Sequence, residues 1–126
     1  MATNILSIPL AHVAIVTGTN EDWIDCLKYC VGDSNGPQLD LRGVNFELEI
    51  RRRPPDHEVI MRASTDDDSI SVGAAPNVGY LIFYVQESVM EKLQADTYVG
   101  DVRASDEQYQ RVIMTLDFEI IQGVTR

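Results

Sequence analysis

Apolar and polar residues alternate one for one along residues 43–51, where Val44, Phe46, Leu48 and Ile50 fall between Asn45, Glu47, Glu49 and Arg51. Successive side chains of a strand project to opposite faces, so the pattern predicts a strand with one face buried and the other in water. The same period returns near the C-terminus. There Val112, Met114, Leu116, Phe118 and Ile120 are expected inward, and Arg111, Ile113, Thr115, Asp117, Glu119 and Ile121 on a mixed opposite face. Shorter runs rich in β-branched and aromatic residues predict further strands at 11–17, 23–29, 57–63, 69–72, 78–86 and 97–104. Turn chemistry separates them: Gly18 to Glu21, Gly32 to Pro37, Pro54 to Asp56, Thr65 to Asp68, Ala75 to Asn77 and Ser105 to Glu107. Seven to eight short strands spaced about ten residues apart indicate a sandwich or barrel.

One stretch breaks the strand period. Over residues 87–94 Val89, Met90 and Leu93 fall at helical spacing among good helix formers, which predicts a short helix crossing from one sheet to the other. No internal repeat or low-complexity linker divides the chain, so residues 1–126 are expected to form a single domain. Residues 1–10 carry Ile5, Leu6, Ile8 and Leu10 ahead of the first predicted strand. They are expected to be either the first strand of the same sandwich or an arm that packs on a neighbouring copy's open edge.

Composition narrows the picture. With 44% apolar residues, a chain of 126 can bury one core without metal or disulfide staples. Acids outnumber bases 20 to 10, giving a formal net charge of −10 that repels phosphate backbones and anionic lipid. Nucleic acid is therefore not an expected partner. The one basic run, Arg51, Arg52 and Arg53, reads as a strand end or a salt-bridged subunit contact. Cys26 and Cys30 would lie about 13 Å apart in a strand, too far for a mutual disulfide, and are expected as thiols of a chain made in a reducing cytoplasm. No signal peptide and no apolar run long enough for a membrane span is expected, so no membrane insertion.

The search for chemistry yields little. No nucleophile elbow, phosphate-cradling glycine loop, H-E-x-x-H helix or C-x-x-C pair occurs, and the expectation is a protein that is not an enzyme and holds no cofactor and no metal. Asp66, Asp67 and Asp68 are adjacent rather than alternating, so they read as a solvated turn rather than a calcium loop. Aromatics on strands, Trp23 and Tyr29 among them, are expected in packing more than on a sugar-binding platform. Tyr98, entering a strand just after the helix, is placed like the tyrosine that pins a sandwich corner through its hydroxyl.

The order of pieces then resembles a family. Asp40-Leu41-Arg42-Gly43 leading into a strand that ends Ile50-Arg51, the Ser64-Thr65-Asp66 turn, Tyr98 to Asp101 after the short helix, and Val124-Thr125-Arg126 together are similar to small virion proteins of tailed bacteriophages. Those proteins resemble the N-terminal domain of phage upper baseplate proteins. The likeness covers roughly residues 39–126, and more loosely the first forty; it departs from the pattern at Asp96-Thr97, where a glycine is expected, and in a longer insertion from Lys28 to Gly36. It implies a mainly β, antiparallel, immunoglobulin-like sandwich of seven to eight strands with one helix near 87–94. It also implies a structural role in the tail, baseplate or fibre-attachment region, in contact with other phage structural proteins and copies of itself. The expected location is the virion, after synthesis in the host cytoplasm. A head-decoration or neck protein is the alternative within that class, and a carbohydrate-binding module, with direct glycan contact, the alternative outside it. The interface residues expected are Ile5, Leu6, Ile8, Leu10, Arg51, Arg52, Arg53, Val124, Thr125 and Arg126.

Overall fold

A computed structural model describes residues 5, 8–19, 21–30, 36–53 and 58–122. Eight strands and one helix follow in the order β1 (Ala11–Gly18), β2 (Trp23–Lys28), β3 (Asn45–Arg51), β4 (Met61–Ser64), β5 (Ile70–Val72), β6 (Tyr80–Val85), α1 (Glu87–Met90), β7 (Asp96–Ser105) and β8 (Gln110–Ile121). They form a five-stranded sheet, ordered β1-β8-β7-β3-β4, and a three-stranded sheet, ordered β2-β6-β5. Two sheets packed face to face with this interleaving make an immunoglobulin-like β-sandwich.

The inward alternation of each strand makes the core. Phe46, Leu48 and Ile50 of β3 and Met114, Leu116, Phe118 and Ile120 of β8 are buried, as the period predicts. Opposite them, Trp23 of β2 stacks on Phe83 of β6 with centroids 5.3 Å apart and meets Phe118 of β8 edge-on at 4.9 Å. The aromatic trio ties the two sheets together. The indole N–H donates to Asp25 Oδ2 at 2.6 Å, so the one polar atom of the wedge is satisfied.

Three features depart from the sequence expectation. The sandwich is not wholly antiparallel: β1 runs parallel to β8, from Ala11 opposite Met114 to Gly18 opposite Ile121. Hydrophobic period reports which face is buried and is blind to direction. A parallel neighbour needs only a long connection, which nearly the whole chain supplies here. Second, the ladder shifts between Val102 and Arg103, so that Val102 faces Met114 while Arg103 faces Val112. Ile113 is the extra residue of this bulge and is fully buried beside Met114, whereas Val112, expected inward, is only half-buried. The Tyr29 hydroxyl reaches the Ile113 carbonyl at 3.4 Å, and burial pushes that phenol's pKa up to about 12. Third, the helix stops at Met90, and a turn from Val89 to Leu93 completes the crossing. Beyond it, the Gln94 carbonyl accepts the Tyr98 hydroxyl at 2.6 Å. That bond is the sandwich corner expected of Tyr98, which is 3% exposed. The strand expected at 57–63 begins later, at Met61, and His57 lies outside the described residues.

The motifs behind the resemblance have structural causes. Asp40 accepts from the Arg42 backbone N–H at 3.1 Å and from its guanidinium at 2.7 and 2.9 Å, and Gly43 takes φ 84°. This is a tight turn closed by a carboxylate, with the glycine supplying the left-handed step and Leu41 anchored in the core. Two residues after the corner tyrosine, where antibody domains hold a cysteine, this chain has Gly100. Ile50 fills the place: a Cβ on Gly100 would stand 2.4 Å from Ile50 Cδ1 and 2.9 Å from the Glu49 carbonyl oxygen.

Two substitutions check this account. Gly100→Val forces strand β3 away from β7 and is expected to cost about 1–3 kcal/mol in urea unfolding. Tyr98→Phe removes only the corner bond and is expected to cost about 1 kcal/mol. An unchanged midpoint for Gly100→Val would remove the close approach as a constraint.

Candidate functional site

Each sheet has one face in the core, so whatever the protein recognises must meet an outer face, an edge or a loop. The residues expected at an interface scatter across these places. Ile5 and Ile8 are 0% and 1% exposed, within the hydrophobic core cluster, so they are not available to a neighbour as the arm reading requires. Leu10 stays 62% exposed, just ahead of β1. Leu6, Val124, Thr125 and Arg126 lie outside the described residues.

The three arginines of the basic run part company. Arg51 points to the outer face of the larger sheet, where its guanidinium donates to Glu49 Oε1 at 2.8 Å. Arg62 of β4 stands 3.3 Å and Arg103 of β7 3.8 Å from the same carboxylate. Glu49 is 6% exposed although it faces outward, because these side chains lie over it. Burial alone would raise its pKa. The Arg51 hydrogen bond and the charges of Arg51, Arg62 and Arg103 outweigh that, and the carboxyl titrates below its ordinary 4.5. Next to it, Asp101 Oδ1 is buried without a hydrogen bond, with Arg103 Nε 4.0 Å away. Arg52 and Arg53 instead wall a shallow groove of about 430 Å³ whose floor includes Ala14, Val16, Thr97 and Val99. Asp117 and Glu119 line it too, so the groove is ionically mixed rather than an anion site.

A second cluster joins His12, a β1 residue whose ring is satisfied on both nitrogens, to β8. His12 Nδ1 lies 2.7 Å from Thr115 Oγ1, and Nε2 lies 3.0 Å from Asp117 Oδ2. An ionised carboxylate can only accept, so the Nε2 proton is directed at Asp117, while Nδ1 shares its hydrogen bond with the threonine hydroxyl. The order hydroxyl, imidazole, carboxylate is that of a nucleophilic triad. Its setting is different: the His12 and Asp117 side chains are 59% and 68% exposed on an open sheet face, in solvent that screens the charges such chemistry must stabilise. The bonds pin β1 across its parallel neighbour.

The turn at 65–68 is likewise consumed by its own backbone. Asp67 Oδ1 accepts the Ser69 N–H at 3.0 Å and the Ser69 hydroxyl, and Asp68 adopts φ 65°. Among the described residues no group of three or more His, Cys, Asp or Glu could hold a metal ion. No described helix is long and apolar enough to cross a membrane.

The outer face of the smaller sheet carries mostly apolar side chains. Pairing of β2 with β6 sets Ile24 beside Tyr84, Cys26 beside Ile82 and Lys28 beside Tyr80, while β5 adds Ser71 beside Ile82. Ile24 is 60% and Tyr84 44% exposed, and Val89 of α1, 41% exposed, borders the same end. Lys28 is the one charge in these rows. At the opposite end Asp22 accepts the Glu87 backbone N–H at 2.7 Å and the Tyr84 hydroxyl at 3.3 Å. The sequence did hold a signal for this face: Tyr80–Val85 is an unbroken apolar run where a half-solvated strand should alternate.

No protein-family model matches the chain, and no curated protein matches it in sequence. Among solved structures, a marsupial T cell receptor is similar over 90% of this chain and 50% of that one, at 10% identity and a TM-score of 0.45. This chain therefore spans half the length of that receptor chain. The immunoglobulin-like character of the fold rests on its own strand order and on the Tyr98 corner.

Glu49 yields the clearest pH dependence. Its folded pKa lies below its unfolded one, so its contribution is fully present above about pH 4.5 and is lost as pH falls through the lower folded value. Glu49→Gln is expected to cost about 1–2 kcal/mol at neutral pH, discounted because the surrounding arginines are partly solvated. Its stability should also fall less steeply than that of the parent below pH 4.5. Parallel acid limbs in urea titrations of the two proteins would contradict the assignment.

Proposed function

We propose that this chain is a structural subunit acting through protein–protein contacts, in the setting its motif order resembles: a tailed-phage virion, at the tail, baseplate or fibre-attachment region. The observation that carries the contact reading is the outer face of β2-β6-β5. A sheet face turned to water ordinarily carries polar side chains, whereas this one presents Ile24, Ile82, Tyr80 and Tyr84. The −10 net charge supports protein partners over phosphate-bearing ones, and the ordered motifs at 40–51 and 98–101 support the virion setting. A head-decoration or neck position fits the same surface chemistry.

A carbohydrate-binding module is the second reading, and a specific observation favours it. Tyr80 and Tyr84 lie on one sheet face with Tyr84 largely open, and Tyr109, 46% exposed, sits at the β7–β8 hairpin. Stacking of sugar rings on such a platform is lost when the rings are removed.

Antibodies against the chain decide the virion setting. They are expected to decorate purified particles at one fixed position by negative-stain microscopy, whereas a chain recovered wholly apart from particles would overturn it. A glycan array supports the second reading if binding disappears in Tyr84→Ala.

A further inference from the structure

Resting on the reading of the small sheet as a contact surface, we propose that its occupant is a second copy of this chain, packed face to face about a two-fold axis lying along the Cys26–Ile82–Ser71 row.

Charge and symmetry select the occupant. Each copy is acidic overall, but this face carries Lys28 at one end and acids at the other, so a second copy can set opposite charges against each other around the apolar rows. A two-fold contact must also complement itself. The rows run from an acidic end, at Asp22 and Glu87, to a basic one, at Lys28. An axis along β6 would set acidic end against acidic end. An axis along the central row reverses one strand direction, laying Lys28 over the partner's acidic end, Ile24 over the aliphatic stem of the facing lysine, and Tyr84 over the other copy's Tyr80. Only the second arrangement pairs opposite charges and buries the apolar rows together.

The size of the face sets the strength. Six-residue strands and three-strand width give about 20 by 10 Å, well under the roughly 800 Å² per partner of a stable complex. The pair is therefore weak in dilute solution and forms where copies are held at high local concentration, as in a symmetric assembly.

The row on the axis supplies the test, since Cys26 is an exposed thiol that the symmetry places opposite itself. Facing sheets stand about 10 Å apart, beyond the ~7 Å Cα limit of a disulfide, so the reagent is a short bis-maleimide rather than an oxidant. Burial and the neighbouring Asp25 raise the thiol's pKa, which calls for mildly alkaline labelling. With the purified chain, a cross-linked dimer is expected whose yield rises with concentration and vanishes in Cys26→Ser. Lys28→Glu should reduce the yield severalfold, and adding Glu87→Lys to it should restore the yield, because the swapped charges again meet across the axis. Melting temperatures close to the parent's show that these exposed substitutions leave the fold intact. Equal cross-linking in Cys26→Ser, a strictly monomeric chain at every concentration in sedimentation, or no rescue by the double variant overturns the proposal. These outcomes concern the pairing alone: particle labelling can succeed while self-pairing fails.

Discussion

The wedge of Trp23, Phe83 and Phe118 is the interaction on which the sandwich depends. It stands between the sheets and draws on β2 and β6 from one and β8 from the other. An aromatic wedge holds by buried area and ring geometry, so it works in a reducing compartment as well as an oxidising one. It also fixes the spacing that the other contacts assume. Ile50 of β3 fills the space over Gly100 of β7 because no side chain stands there.

With the core settled, the two outer faces diverge. The larger sheet carries a charged network over Glu49, whose members satisfy one another and shed water only in part. The smaller sheet carries apolar rows with charge at their ends. A network of that kind resists tight docking, since a partner must replace every bond it strips away. Apolar rows impose no such condition. The two outer faces therefore differ in the side chains they present, paired charges on one and apolar rows on the other.

Much of this could be read in the sequence, for stated reasons. Strict alternation located β3 and most of β8, and β-branched runs between turn residues located the remaining strands to within a few positions. Tyr98 was legible because its place, just after the crossing helix, is tied to one hydroxyl bond. The parallel β1–β8 pair was not legible, since side-chain period carries no direction. Nor was the bulge at Ile113, which exchanges one apolar residue for another and leaves composition unchanged. The candidate site fared worse. Arg51, Arg52 and Arg53 are consecutive, yet strand geometry sends the first to Glu49 and the others to a groove. Ile5 and Ile8 fit a first strand or an arm equally well, because an apolar run does not say which copy's core receives it; here they lie in this chain's own core. The motifs at 40–43 and 98–101 turn out to encode a turn and a corner, so they report the fold more directly than the role.

The parallel pairing of β1 with β8 has a mechanical side. The chain enters β1 at the end of the sandwich where Ala11 meets Met114 and leaves β8 at the other, where Gly18 meets Ile121. A pull applied along the chain therefore slides the two strands past each other, loading all the rungs between them together instead of peeling them one at a time. Strands joined in shear yield at much higher tension than strands that unzip. A domain threaded this way can sit in line with a load and transmit it.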